Sequence, residues 1–223
     1  MFYWLLWGVA HVLSRLLYRV SYTGGANVPR KGPVIICANH LGWWDPVIFA
    51  MATRRRLYFM AKSELFKNRF FGFLLNAAGA FSVRRGEPDR KSISRAMDLL
   101  ARGAVVGIFP EGTRSWTGKF RRAEPGVGLL ILRSGAPVVP AYIEGPYRFR
   151  RPVRLVIGKP FHVDAGVDGA RTGAQRRQAA ADAVMAEIAA LGGRAGDYAA
   201  LVAAVRPERP AATSDAAVSS GQE

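Results

Sequence analysis

The sequence predicts a single α/β domain, a central and mostly parallel sheet flanked by helices, with an amphipathic helix at the N-terminus. Three observations predict it. Short apolar runs of strand type alternate with stretches of helical periodicity from about residue 34 to residue 191, a pattern that places helices on both faces of one sheet. Gly103 and Gly135 stand where helices should stop before the next strand. Three strand ends carry polar side chains, His40 with Asp45, Arg84 with Arg85, and Glu111 with Thr113 and Arg114, and the carboxyl ends of strands are where open α/β sheets bind ligands.

The N-terminal segment reads first. Met1 to Leu13 contains no Asp, Glu, Lys or Arg, and Phe2, Leu5, Leu6, Val9, Leu13, Leu16, Leu17 and Val20 recur at helical spacing. Arg15 and Arg19 interrupt the run before the roughly 20 apolar residues that a spanning helix needs. A basic n-region and a small-residue cleavage site are both missing, so a secretory signal is not expected. Residues 1–22 are therefore predicted to form a membrane-interface helix, with Tyr3, Trp4 and Trp7 at headgroup level. The alternative is a helix that packs its apolar stripe onto the domain's own sheet.

Strands are predicted near 34–38, 57–61, 80–84, 104–109, 137–142 and 153–157, and helices near 46–53, 64–78, 89–102, 124–134 and 171–191. The helix near 64–78 carries Phe66, Phe70, Phe71 and Phe73 beside Lys67 and Arg69; these aromatics either enter an acyl boundary or belong to the core. Arg148-Phe149-Arg150-Arg151 is either a phosphate-facing rim or a solvated loop. From 206 to 223, Pro207, Pro210 and a run of small and polar residues lack apolar periodicity, which predicts a disordered tail.

The most specific chemistry follows the run Pro33 to Ala38, where His40 stands five positions before Asp45 and Pro46. A strand giving way to Asp-Pro predicts a turn into a helix, with Asp45 as N-cap and Pro46 at its first position. That turn can bring the carboxylate back to the imidazole. A carboxylate on one ring nitrogen fixes the tautomer and leaves the other to take a proton from an alcohol near neutral pH. The plainer reading is an aspartate that only caps its helix. After the strand predicted near 104–109, Gly112 permits close backbone approach, Thr113 and Ser115 offer hydroxyls, and Arg114 offers a planar fork suited to phosphate oxygens.

Composition narrows the partners. Lys plus Arg number 32 against 16 Asp plus Glu, a formal charge of +16 that favours anionic partners. The cations are scattered, and no helix-turn-helix, zinc finger or RNP-like motif is present, so nucleic acid is not predicted as a partner. The single Cys37 lies inside a predicted strand, where a thiol serves as a small apolar group, and it allows no intramolecular disulfide. His11 and His162 show no ligand spacing to His40, so no metal site and no zinc hydrolase is predicted.

With these residues in place, the chain resembles the glycerolipid acyltransferase family, which includes the bacterial 1-acyl-glycerol-3-phosphate acyltransferases. Asn39-His40 through Asp45-Pro46, Gly79 to Arg84, Phe109 to Ser115 and Val138 to Ala141 are similar to that family's four motifs, in order, across roughly residues 20 to 165. The resemblance implies acyl transfer from acyl-CoA or acyl carrier protein to the hydroxyl of a lysophosphatidate-type acceptor, with no cofactor. It implies His40 as general base, Asp45 as its partner, and Lys62, Arg84, Glu111, Gly112, Thr113 and Arg114 as the phosphate-side surface. It further implies an acyltransferase domain over 23–200, held as a peripheral or monotopic protein on an anionic membrane at the cytoplasmic face of the cell membrane. Glycerol 3-phosphate or another lysophospholipid remains open as acceptor. A non-enzymatic protein binding anionic membranes or nucleic acid is the alternative of a different class, and an intact His40 and Asp45 beside Glu111 to Arg114 weighs against it.

Overall fold

A computed structural model of the chain describes residues 2–51, 53–84, 89–145, 147–164 and 172–204. Arg85 and the predicted tail at 206–223 lie outside them. The chain runs α1 (Phe2–Leu17), β1 (Arg19–Thr23), β2 (Val34–Ala38), α2 (Asp45–Met51), β3 (Leu57–Lys62), α3 (Arg69–Ala77), β4 (Ala80–Val83), α4 (Arg90–Ala101), β5 (Val105–Ile108), α5 (Pro125–Ser134), β6 (Val138–Glu144), β7 (Pro152–Ile157), α6 (Gly173–Leu191) and α7 (Ala195–Ala204). The strands form one sheet in the order β1-β7-β6-β2-β5-β3-β4. Every pairing is parallel except β6 with β7, which agrees with the predicted class.

The central strands are buried on both faces, as parallel strands between helix layers must be. Ile35 and Cys37 of β2 pack with Leu99 and Leu100 of α4, Leu130 and Ile131 of α5, and Met185 and Ile188 of α6. Val34, Ile36 and Ala38 face the opposite core, with Ile48 and Phe49 of α2. The period of two along β2 thus divides the two cores. Cys37 is fully buried and burial pushes its thiol far above the usual range, which fits an apolar role. Gly135 closes α5 in the left-handed conformation, φ 60°, as predicted. At Gly128 the reason is space: a Cβ there would collide with the Arg177 carbonyl of α6.

Two predicted elements are corrected and one is added. The N-terminal helix ends at Leu17 rather than running on past Val20, because Arg19–Thr23, rich in residues that suit a pleated surface, pairs in parallel with β7. The stretch predicted as one helix near 64–78 is a 3-10 turn at Ser63–Phe66 followed by α3. Asn68 separates them, its side chain accepting the Phe71 N–H at 3.0 Å as an N-cap. Helix α7 was not predicted; Tyr198 fastens it, buried and donating its hydroxyl to Asp182 Oδ1 at 2.8 Å.

Helix α1 docks in an unusual sense. Its polar-tipped residues face the protein: the Tyr3 hydroxyl accepts the Leu57 N–H at 3.0 Å, Trp7 Nε1 donates to the Ala50 carbonyl at 3.0 Å, and Ser14 is fully buried beside Met51. Its apolar side faces outward, with Leu5 61% and Leu16 58% exposed and Phe2, Val9, Val12 and Leu13 also open. Of the three aromatics expected at headgroup level, only Trp4 is exposed; Tyr3 and Trp7 are docking residues. Phe70, Phe71 and Phe73 of α3 are likewise exposed, and the Phe2 and Phe73 rings lie 5.8 Å apart, which joins the two outward faces. Among the described residues, no helix is long and apolar enough to cross a membrane.

Candidate active site

Strands β6, β2, β5, β3 and β4 are successive neighbours, and the predicted site residues follow the carboxyl ends of the last four. His40 and Asp45 follow β2, Lys62 closes β3, Arg84 follows β4, and Glu111 to Arg114 follow β5. Parallel strands start their crossovers at one edge of the sheet, so residues distant in sequence collect there.

The loop from His40 to Asp45 folds back on itself. Asp45 Oδ2 lies 2.5 Å from His40 Nδ1 and accepts the N–H groups of Leu41 at 2.5 Å and Gly42 at 2.8 Å. Asp45 was expected at the N-cap with Pro46 first in the helix; instead it is the first residue of α2, and its buried carboxylate is aimed back into the loop rather than only at its helix. The Tyr147 hydroxyl donates to Asp45 Oδ1. Nothing local in the sequence marks Tyr147, which is 102 positions away and comes near only because β6 lies beside β2.

His40 is fixed on its other sides as well. Its ring stacks on Phe109 at 4.1 Å and 14°. Its N–H donates to Glu111 Oε2 at 3.1 Å, and its carbonyl accepts the Ser115 N–H at 2.7 Å. Asn39 clamps the backbone of Ile143 in β6, donating from Nδ2 to the carbonyl at 2.9 Å and accepting the N–H at 2.7 Å. That bidentate contact prolongs the β2–β6 ladder one residue past the strand and sets where the His40 loop begins.

An open pocket of about 800 Å³ lies beside this loop, lined by Lys62, Glu111, Gly112, Thr113, Arg114 and Arg121 among others. Five of the six residues predicted for the phosphate side therefore meet in one place. Arg84 is not among the lining residues; it is exposed, and its N–H donates to Asp89 Oδ2 at 2.8 Å. Lys62 Nζ is 2.9 Å from Glu64 Oε1, and that hydrogen bond holds the exposed Glu64 carboxyl down at about 2. Exposed pairs of this kind are weak and yield readily to a competing anion.

Glu111 differs from its predicted part. It lines the pocket, but its oxygens are occupied by backbone: Oε2 by His40 and Oε1 by the Arg121 N–H at 3.1 Å. Burial raises its carboxyl to about 7, against the pull of those two hydrogen bonds. Geometrically it braces the His40 loop to the segment behind the pocket. Gly112 stands at φ 66°, where a side chain would be strained and would also press on Glu124. Arg114 is clasped by aromatics that sequence reasoning left unassigned: its guanidinium lies 3.6 Å from the Trp43 ring centroid and 5.2 Å from that of Trp116. Its buried Nη1 has no hydrogen-bond partner among the described residues. A guanidinium stacked on an aromatic face keeps its in-plane N–H groups for oxygen acceptors.

A buried imidazole–carboxylate pair next to a basic pocket, at the carboxyl edge of a parallel sheet, defines a site suited to activating an acceptor that carries negative charge. The family model described as Acyltransferase matches residues 19–144, more than half of the chain, and the chain belongs to that family as an O-acyltransferase. It is 34% identical over 142 residues to the 1-acyl-sn-glycerol-3-phosphate acyltransferase of Bacillus subtilis, covering 61% of this chain and 70% of that one. To the protein of the same name from Streptococcus pneumoniae it is 30% identical over 172 residues, covering 73% of this chain and 64% of that one, a little under two thirds of its length. The crystal structure of the 1-acyl-sn-glycerophosphate acyltransferase PlsC from Thermotoga maritima has the same fold, with a TM-score of 0.57 at 23% identity over 78% of this chain and 73% of that one.

Proposed function

We propose that this protein transfers a fatty acyl group from an acyl thioester, acyl-CoA or acyl carrier protein, to the free hydroxyl of 1-acyl-glycerol-3-phosphate, forming phosphatidate in phospholipid biosynthesis. The observation that carries the reading is the His40–Asp45 pair. With Nδ1 bonded to the carboxylate, Nε2 is the nitrogen that takes the proton from the acceptor hydroxyl. The hydroxyl oxygen attacks the thioester carbonyl, the C–S bond breaks, and the departing thiolate receives the proton from the imidazolium. Asp45 steadies that cation while it exists.

In this reading Arg114, Lys62 and Thr113 receive the acceptor phosphate, Gly112 lets it approach the backbone, and Arg84 supplies charge from the next strand end. Glu111 acts through the loops it joins. The outward apolar faces of α1 and α3 support attachment to an anionic membrane at its cytoplasmic face, from which a lipid acceptor can be drawn. The test is a purified-protein assay with radiolabelled acyl-CoA and acyl carrier protein against phosphorylated and unphosphorylated acceptors. Incorporation confined to lysophosphatidate supports the proposal; equal use of acceptors without phosphate removes it.

A further inference from the structure

We propose that Tyr147 is a positioning residue for acyl transfer, holding the second oxygen of Asp45 so that the first is kept on His40. The inference rests on the catalytic reading of the His40–Asp45 pair given above.

Asp45 uses its two oxygens differently. Oδ2 takes the imidazole and two backbone N–H groups, whereas the Tyr147 hydroxyl donates to Oδ1. A carboxylate tethered through one oxygen keeps freedom about its Cβ–Cγ bond, and the imidazole swings with it. A donor on the other oxygen removes that freedom. Asp45 is fully buried, so no water competes for the place. Burial, and after it the charge of Asp45, pushes the Tyr147 phenol far above its usual range, which keeps the proton on the oxygen as the donor role requires.

Tyr147 is itself rigidly placed. Its ring lies so close over Gly42 that a Cβ there would stand 2.7 Å from its Cδ2. Tyr18 meets it edge-on, with centroids 5.4 Å apart at 72°. The following turn is tied to the end of α1 and the start of β1: the Arg150 N–H donates to the Leu17 carbonyl at 2.7 Å, and the Arg19 N–H to the Arg151 carbonyl at 3.0 Å. Arg150 adopts φ 57°, the one left-handed residue other than glycine among those described, and closes that turn. The absence of a side chain at position 42 thus has a use: it admits the ring that reaches Asp45.

Tyr147→Phe preserves the ring and removes only the donor. It should lower kcat roughly ten- to hundredfold, the scale of one hydrogen bond to a charged group, with the KM of donor and acceptor and the melting temperature near wild type. In an Asp45→Ala background the same substitution should cost nothing further, because the group it positions is gone. Gly42→Ala, which displaces the ring while leaving the hydroxyl in the chain, should also lower kcat, and its result decides the matter if Tyr147→Phe does not fold. Unchanged kcat in a folded Tyr147→Phe, a loss confined to KM, or a full additional loss in the Asp45→Ala background overturns the proposal. If Asp45→Ala alone keeps wild-type turnover, it is the catalytic reading of the pair that fails.

Discussion

Replacing Leu5, Val12 and Leu16 of α1 by serine tests where this enzyme meets its substrate. Each side chain is more than half exposed, at 61%, 57% and 58%, so the protein's own core loses little when they change. A Leu or Val side chain fully withdrawn from water is worth about 1.5–3 kcal/mol, and the open share of each comes to roughly 1 kcal/mol at the lower bound. Three such losses give about 3 kcal/mol, or on the order of a hundredfold weaker partitioning at about 1.4 kcal/mol per decade. Flotation with vesicles containing anionic lipid measures this directly, with the melting temperature followed in parallel. Serine substitution should drop the protein from the vesicle fraction, and activity on vesicle-borne acceptor should fall much more than activity on detergent-dispersed acceptor. Flotation like wild type in the triple variant would refute the reasoning, as would a collapse in thermal stability, which is the signature of a stripe packed on the core. Deleting residues 1–20 is a poorer experiment, since it also removes Tyr3, Trp7 and Ser14, which dock the helix, and the start of β1.

Further outcomes follow from the site. His40→Ala should reduce turnover by roughly 10²–10⁴-fold with the fold intact, and Asp45→Asn should also reduce it; a folded His40→Ala with near-normal turnover removes the base mechanism. Arg114→Ala should raise the acceptor KM more than the donor KM, Arg114→Lys should restore only part of the affinity because the fork is lost, and Trp43→Ala should reproduce a milder form of the defect. Glu111 titrates at about 7 in the folded protein against about 4.5 in the unfolded chain. Between those values the folded state holds the proton more tightly, so its contribution to stability is present below pH 4.5 and is lost as pH rises through 7. The melting temperature of Glu111→Gln should therefore lack that decline relative to wild type between pH 4.5 and 7, and parallel profiles for the two proteins would dismiss the buried carboxyl as its source.

Much of this was legible in the sequence, for physical reasons that differ by element. The strands around the site announce themselves because a parallel strand covered on both faces has to be apolar along its whole length, as Val34 to Ala38 and Val105 to Ile108 are. Residues that follow such runs are placed at the sheet's carboxyl edge by topology alone, which is why His40, Asp45 and Glu111 to Arg114 stand out, whereas Lys62 is implied only by the family resemblance. Orientation was less legible. Glu111 reads as a polar group beside a phosphate-type loop, but its side chain satisfies two backbone N–H groups, a demand that exists only once the loops are closed. For α1, periodicity identifies an apolar stripe without saying which side meets the protein. Tyr3, Trp7 and Ser14, each with a polar atom that needs a partner, settle that, since they find partners on Leu57, Ala50 and Met51 and turn the leucines outward.

The same dependence on pairing explains why the site is stiff where it has to be. The loops after β2 and β5 are fastened at three separated points: the Glu111 carboxylate on the His40 N–H, the Ser115 N–H on the His40 carbonyl, and the Arg114 guanidinium on the Trp43 ring. The first two fix the backbone on either side of the His40 imidazole. The third spans the entrance, where Trp43 and Trp116 are 64% and 70% exposed. A cation–π contact that is open to water is worth only about 0.5–1 kcal/mol and strengthens when desolvated. Arg114 can therefore exchange part of its aromatic contact for an incoming phosphate, and a bound phosphate that excludes water tightens the contact that remains. On the proposed reading of the site, a phosphate on Arg114 would sit at the mouth of the pocket, beside an imidazole that Asp45 and Glu111 already hold in place.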